Sequence, residues 1–189
     1  MSQSKVSDSA PLLGAGVLFY SVDPTTNEKY LLLHSRSTGN KAGFMVDLGG
    51  KIDEGESALT TSCREYGEES LGWVWPENIR DTPDAEERQK EAARLLKEEI
   101  LRQSSNNGEQ QPQPFVTENG FAIYSVFCVQ VSQFDLSDVN ARFQSQPKPR
   151  TFQWVSTSDI INNKIPPLHP RLNGAALQKW IEGAAACSL

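Results

Sequence analysis

The chain reads as an α/β protein on three observations. Apolar runs of strand length, bounded by turn residues, recur before residue 50 and after residue 115. Two long segments between them have helical character, one by its spacing and one by its composition. A further helix-sized segment closes the chain.

Residues 1–11 are polar and read as a flexible arm. Residues 15–22 and 30–35 read as strands, and Asp23-Pro24-Thr25-Thr26-Asn27 between them as a turn, which makes a hairpin. Residues 37–41 form a second loop. Phe44, Met45 and Val46 are expected as a short strand leading into Gly49-Gly50, and residues 57–71 as a helix. Trp75-Pro76 and Thr82-Pro83 then break the chain. Residues 84–103, rich in Glu, Lys, Arg, Ala and Leu, are a helix with Asp84 near its start. Residues 104–114 are polar and rich in Asn, Gln and Pro, and read as a loop. Residues 74–114 are read as an insertion in a single domain spanning 1–189. The favoured role is a solvated helix that packs Leu95, Leu96 and Ile100 on the domain; the rival is a lid or a homodimer contact. Residues 121–131 read as a long buried strand and 173–182 as a last helix.

The helix at 57–71 carries the chemistry. It advances about 100° per residue, so Glu65 and Glu69 lie close on one side and Glu68 flanks them, while Leu59, Cys63 and Tyr66 form a separate apolar stripe. Like charges at i,i+4 repel. A divalent cation would neutralise them, and oxygen donors without His or Cys point to Mg²⁺ or Mn²⁺.

The order Gly50-x5-Glu56-x7-Arg64-Glu65-Tyr66-x-Glu68-Glu69 resembles the signature of the Nudix hydrolases, with Tyr66 in the bulky apolar position. The family pattern expects Gly where this chain has Leu71; its Gly comes one later, at Gly72. The usual Pro before Gly49-Gly50 is absent. A shifted Gly is expected to end the helix in a left-handed cap one residue late. Residues 152–155 and 156–159 resemble the family's late strand and short helix.

The resemblance implies an α/β/α sandwich around a mixed sheet. It also implies a Mg²⁺-dependent (or Mn²⁺-dependent) hydrolase that cleaves a diphosphate linkage in a nucleotide-type substrate. Glu65 and Glu69, with the carbonyl of Gly49 or Gly50 at a tight Gly-Gly turn, would ligate metal, and Glu68 would be a further ligand or support. Glu56 and Arg64 would pair and brace the loop against the helix. A diphosphate and a carboxylate cluster are both anionic and meet only with cations between them. Glu65 is one candidate for the general base; Glu118, Asp135 and Asp138 are later ones. Arg36 and Lys51 are candidates to hold phosphate. Phe44, Tyr20, Phe121 and Trp154 could stack a base or fill the core, core being the better reading for any single one. His34 and His169 are too isolated for a metal site.

Composition bounds these readings. The net charge is −6, which weighs against a broad grip on long nucleic acid. Three cysteines without a CxxC pair argue against a disulfide framework or zinc site and for a reducing compartment. The polar start does not read as a secretory signal, and no run of about 18 apolar residues suggests a membrane span. A cytoplasmic protein is the expectation. Two rivals remain: a catalytically weak nucleotide-binding or regulatory module on the same fold, and an isomerase, which would want an active-site Cys where Cys63 faces the core.

Overall fold

The computed structural model describes residues 12–108, 111–118 and 123–183. The expected arm at 1–11 and Phe121 lie outside them. Among the described residues, six strands form one sheet: β1 (Leu12–Val22), β2 (Lys29–Arg36), β3 (Leu48–Lys51), β4 (Phe115–Glu118), β5 (Ile123–Gln130) and β6 (Arg150–Ser156). The order is β4-β5-β1-β2-β6, with β3 also paired to β1. β1 and β5 run parallel and the other pairs antiparallel, so the sheet is mixed. β1 meets β5 along one edge. Its other edge is shared, by β3 near its start and by the hairpin partner β2 near its end.

Alternation along the central strands builds two cores. Val17 and Phe19 of β1, Leu32 of β2 and Phe127 of β5 face one side. That side is covered by α1 (Ala58–Ser70), α2 (Ala85–Asn106) and α3 (Ser137–Gln144). Leu18, Leu31, Leu33 and Val126 face the other side, under a 3₁₀ turn (Pro170–Leu172) and α5 (Ala175–Gly183). A short helix, α4 (Thr157–Ile161), follows β6, capped by the Ser156 side chain. The result is a three-layer α/β/α sandwich.

The 74–114 segment contributes to this core. Val74, Ala92, Leu96 and Ile100 are buried in it, and Leu95 packs at its edge. Asp84 caps α2 by accepting the Glu87 N–H at 2.7 Å. The far end of α2 is fixed on β5 by two reciprocal bonds between the Gln103 side chain and the Gln130 backbone, at 2.8 and 3.0 Å. Gly67 of α1 lets the two helices touch, since a Cβ there would lie 2.5 Å from the Gln89 carbonyl oxygen.

Three expectations need correction. Residues 44–46 are not a strand; Met45 and Val46 make only isolated bridges to Leu168 and His34. Gly49 and Gly50 do not form a turn but lie in β3, extended against Ala15 and Gly16. The left-handed cap of α1 is not delayed: Leu71 itself adopts φ 54°, followed by Gly72 at 67°. Arg88 supports this exit by donating to the Leu71 carbonyl at 2.7 Å. Strand β4 and helix α3 were not anticipated.

Candidate active site

Helix α1 begins where the Ser57 hydroxyl accepts the Thr60 N–H, and buries Cys63 and Tyr66 against the sheet. Tyr66 is fully buried, and its hydroxyl both donates to the Trp75 carbonyl and accepts the Trp75 N–H. That anchorage fixes the rotation of the helix and turns Glu65 and Glu69 toward β3.

Arg64 is the hub of the acidic half. Its Nε and Nη2 each lie 2.9 Å from a different oxygen of Glu56, a bidentate pair. Nη2 also donates to the Lys51 carbonyl at 3.1 Å, tying the loop to the helix. Nη1 reaches Glu65 at 3.0 Å and Glu68 at 3.3 Å. The Arg64 bonds, helped by the Thr61 hydroxyl, hold the Glu56 carboxyl down at about 2.

Glu65 sits tightly on β3: a Cβ on Gly50 would lie 2.2 Å from its Oε2, so any larger residue there would push the carboxylate aside. Burial raises the Glu65 carboxyl above its usual range despite Arg64. Glu68 is more than half exposed.

Glu69 belongs to a different environment. Its Oε1 accepts from Arg36 at 2.6 Å and Arg150 at 3.2 Å, with Lys41 at 3.7 Å. Its Oε2 accepts the Gly49 N–H at 2.8 Å. Burial pushes this carboxyl up, but Arg150 and Lys41 outweigh it and hold it below the usual value. Next to it the Gly49 carbonyl accepts from Arg171 at 2.9 Å and from Lys41 at 3.4 Å. Arg171 also grips the buried Asp47, through its side chain at 2.7 Å and its carbonyl at 3.0 Å, while Tyr124 donates to Asp47 at 2.8 Å.

The charge repulsion expected along α1 is therefore relieved by arginines from both sides. Lys41, Arg150, Arg171 and Asp47 were not singled out in the sequence. The available clue was a basic residue at the end of each of two strands, Arg36 and Arg150, which face each other in the β2–β6 register.

Other candidates lie apart from this centre. Lys51 is exposed and lends its backbone carbonyl to Arg64. Phe44 is half-buried, edge-on to His169 with ring centres 5.5 Å apart. Tyr20 packs against Trp180 and Trp154 against Phe134. Asp135 is engaged with Ser137, and Asp138 with Arg142. The side chain of Glu118 lies outside the described residues. His34 is wholly buried, and burial holds its imidazole neutral, at about 3. Burial lifts the Cys63 thiol to about 12.

Three carboxylates and a backbone carbonyl suit a hard divalent cation in donor chemistry. Among the described residues, no three His, Cys, Asp or Glu side chains already converge as a metal cage. Glu65 and Glu68 share Arg64 alone, whereas Glu69 and the Gly49 carbonyl would have to exchange cationic partners for a metal.

No protein-family model matches the chain, and no curated protein matches it. Solved structures do. A Nudix hydrolase from M. smegmatis, RenU, aligns over 95% of this chain and 90% of that one, at 16% identity and a TM-score of 0.52. The fold is the Nudix fold. At this identity the likeness is one of fold. The C. elegans Ap4A hydrolase, in a binary complex, aligns over 92% of this chain and 94% of its own, at 16% identity and a TM-score of 0.44. The NUDIX domain of Shewanella oneidensis NrtR, complexed with ADP ribose, aligns over 98% of both chains, at 15% identity and a TM-score of 0.42. No helix among the described residues is long and apolar enough to cross a membrane.

Proposed function

We propose that this chain is a divalent-cation-dependent hydrolase that cleaves a diphosphate linkage in a nucleotide-type substrate. The observation that carries this reading is Glu65. It is a carboxylate pressed onto Gly50, flanked by Glu68 and Glu69, steered by the Glu56–Arg64 pair, and lifted above its usual range by burial. A structural surface helix has no need of such a group, since folding holds a charge where the charge is disfavoured.

Glu65, Glu68, Glu69 and the Gly49 carbonyl would hold Mg²⁺ or Mn²⁺. When bound, the metal would shield the phosphates, lower the pKa of a water and stabilise charge at phosphorus. Arg64 orients Glu65. Glu56 fixes Arg64, which in turn holds the end of β3 by donating to the Lys51 carbonyl. Where Glu65 serves as the base instead of as a ligand, it is the strongest candidate among the described residues to take a proton from water, because a raised carboxyl is the better base. Asp135 and Asp138 are committed to local partners.

One observation favours a second reading, a nucleotide-binding module with weak turnover. Glu69 and the Gly49 carbonyl are already held by Arg36, Arg150, Lys41 and Arg171.

The test is phosphate release from a panel of diphosphate-containing nucleotides with Mg²⁺, Mn²⁺ or EDTA, run on the wild type and Glu65→Gln. Metal-dependent turnover in the wild type, lost in the variant, supports the hydrolase. The same substitution should raise the melting temperature of the metal-free protein, because it removes a charge the fold disfavours. Unchanged turnover in Glu65→Gln refutes the assignment. Nucleotide binding without turnover in the wild type favours the second reading.

A further inference from the structure

The site has two halves of opposite sign. On one side Glu56, Glu65 and Glu68 share the single cation Arg64. On the other, Arg36, Lys41, Arg150 and Arg171 pair, among the described residues, with two carboxylates, Glu69 and Asp47, an excess of two positive charges. The four cations come from four places in the chain: the end of β2, the following loop, the start of β6 and the 3₁₀ turn. Lys41 joins them, since its Nζ reaches both Glu69 and the Gly49 carbonyl that Arg171 holds.

Folding does not require this number. One arginine suffices to neutralise Glu69, yet three cations lie within 3.7 Å of its Oε1. Arg36 and Arg150 face each other across the strands, where like charges repel. The Nε of Arg36 is buried and has no partner, so a donor is desolvated without return. Arg36, Lys41, Arg150 and Arg171 are thus crowded around one pair of carboxylates. All four are mostly buried yet keep an edge at the surface, with 17%, 16%, 11% and 11% of their side chains exposed. Crowded cations that reach the surface of an acidic protein are arranged for an anion.

We propose that Arg36, Lys41, Arg150 and Arg171 form an anion subsite that takes a phosphoryl group beyond the diphosphate being cleaved. The substrates are then linear polyphosphates, with three or more linked phosphates, rather than diphosphates esterified at both ends. This inference rests on the hydrolase reading for the position of the scissile bond. The anion subsite itself needs no metal.

The first experiment titrates inorganic tripolyphosphate and inorganic pyrophosphate into the full chain in EDTA. The second compares kcat/KM for adenosine 5′-tetraphosphate and ADP-ribose with Mg²⁺. The two share the adenosine, so the additional phosphates are the main variable. Tripolyphosphate should bind about tenfold or more tightly than pyrophosphate, and the tetraphosphate should be preferred by a similar factor. Lys41→Gln should reduce both ratios severalfold. Lys41 lies in a loop and only supplements the contacts of the arginines, so this variant keeps the fold; Arg36→Gln is the second variant.

Equal binding of the two inorganic anions in EDTA, or ratios unmoved by both variants, overturns the proposal. Tripolyphosphate binding without turnover of any panel nucleotide leaves the subsite standing and defeats the hydrolase reading. Turnover of ADP-ribose as fast as the tetraphosphate, without tripolyphosphate binding in EDTA, does the reverse.

Discussion

Replacing Tyr66 by Phe removes one oxygen from the centre of the fold and tests how α1 is held. The ring is completely buried and meets Phe19 edge-on, with centres 5.3 Å apart. Phe keeps that ring, so the apolar transfer energy is unchanged. What is lost is the hydroxyl that serves both the N–H and the carbonyl of Trp75. Each buried backbone group left without a partner costs about 1–3 kcal/mol. Trp75 is only half-buried, so water recovers part of this, and about 1–3 kcal/mol in total is expected. For a chain of 189 residues, about 2–4 °C is lost per kcal/mol, a fall of about 2–12 °C in melting temperature. Urea unfolding followed by tryptophan fluorescence should show a lower midpoint at unchanged slope. A midpoint indistinguishable from wild type would mean that the Trp75 peptide is served equally well by water and that Tyr66 does not anchor the helix.

Three further outcomes follow from the geometry. Gly67→Ala should destabilise by about 1–3 kcal/mol although Ala is the better helix former, because its Cβ would meet the Gln89 carbonyl at 2.5 Å; a raised melting temperature would refute the tight α1–α2 contact. Glu69→Gln should cost about 3 kcal/mol or more, since it leaves Arg36 and Arg150 facing each other without the carboxylate between them; an unchanged thermal melt would count against that ion-pair group. Glu56 and Glu69 both have folded values below the ordinary 4.5, so the stability they contribute is complete above that pH. It is lost as pH falls toward the folded values, about 2 for Glu56. Melting temperatures between about pH 2 and 6 should therefore fall with acid, and less steeply in Glu56→Gln; parallel curves for the two proteins would show that Glu56 is not the responsible group.

The motif residues of the candidate site were legible because they are local. Glu56, Arg64, Glu65, Glu68 and Glu69 lie within one loop and one helix, so spacing alone brings them together. The β1–β2 hairpin, α1, α2 and α5 were legible for the same reason, through apolar runs, turn residues and helical composition. The cationic half was not, because its members meet only after the sheet forms. Arg171 lies 124 residues from Asp47, and Arg150 lies 81 from Glu69. No periodicity relates such positions, and each reads singly as a surface charge. Strand β4 and helix α3 escaped because they are short, with 4 and 8 residues, and α3 starts without a side-chain cap from Leu136. Leu71 shows the same limit at a single residue. A left-handed turn was expected to wait for Gly72, yet Leu71 takes φ 54° and keeps its side chain against the core. Arg88, seventeen residues on, bonds the Leu71 carbonyl and occupies the space beside Gly72. A cap that looks displaced in sequence is thus in its ordinary place, held by a helix whose docking the local pattern does not encode.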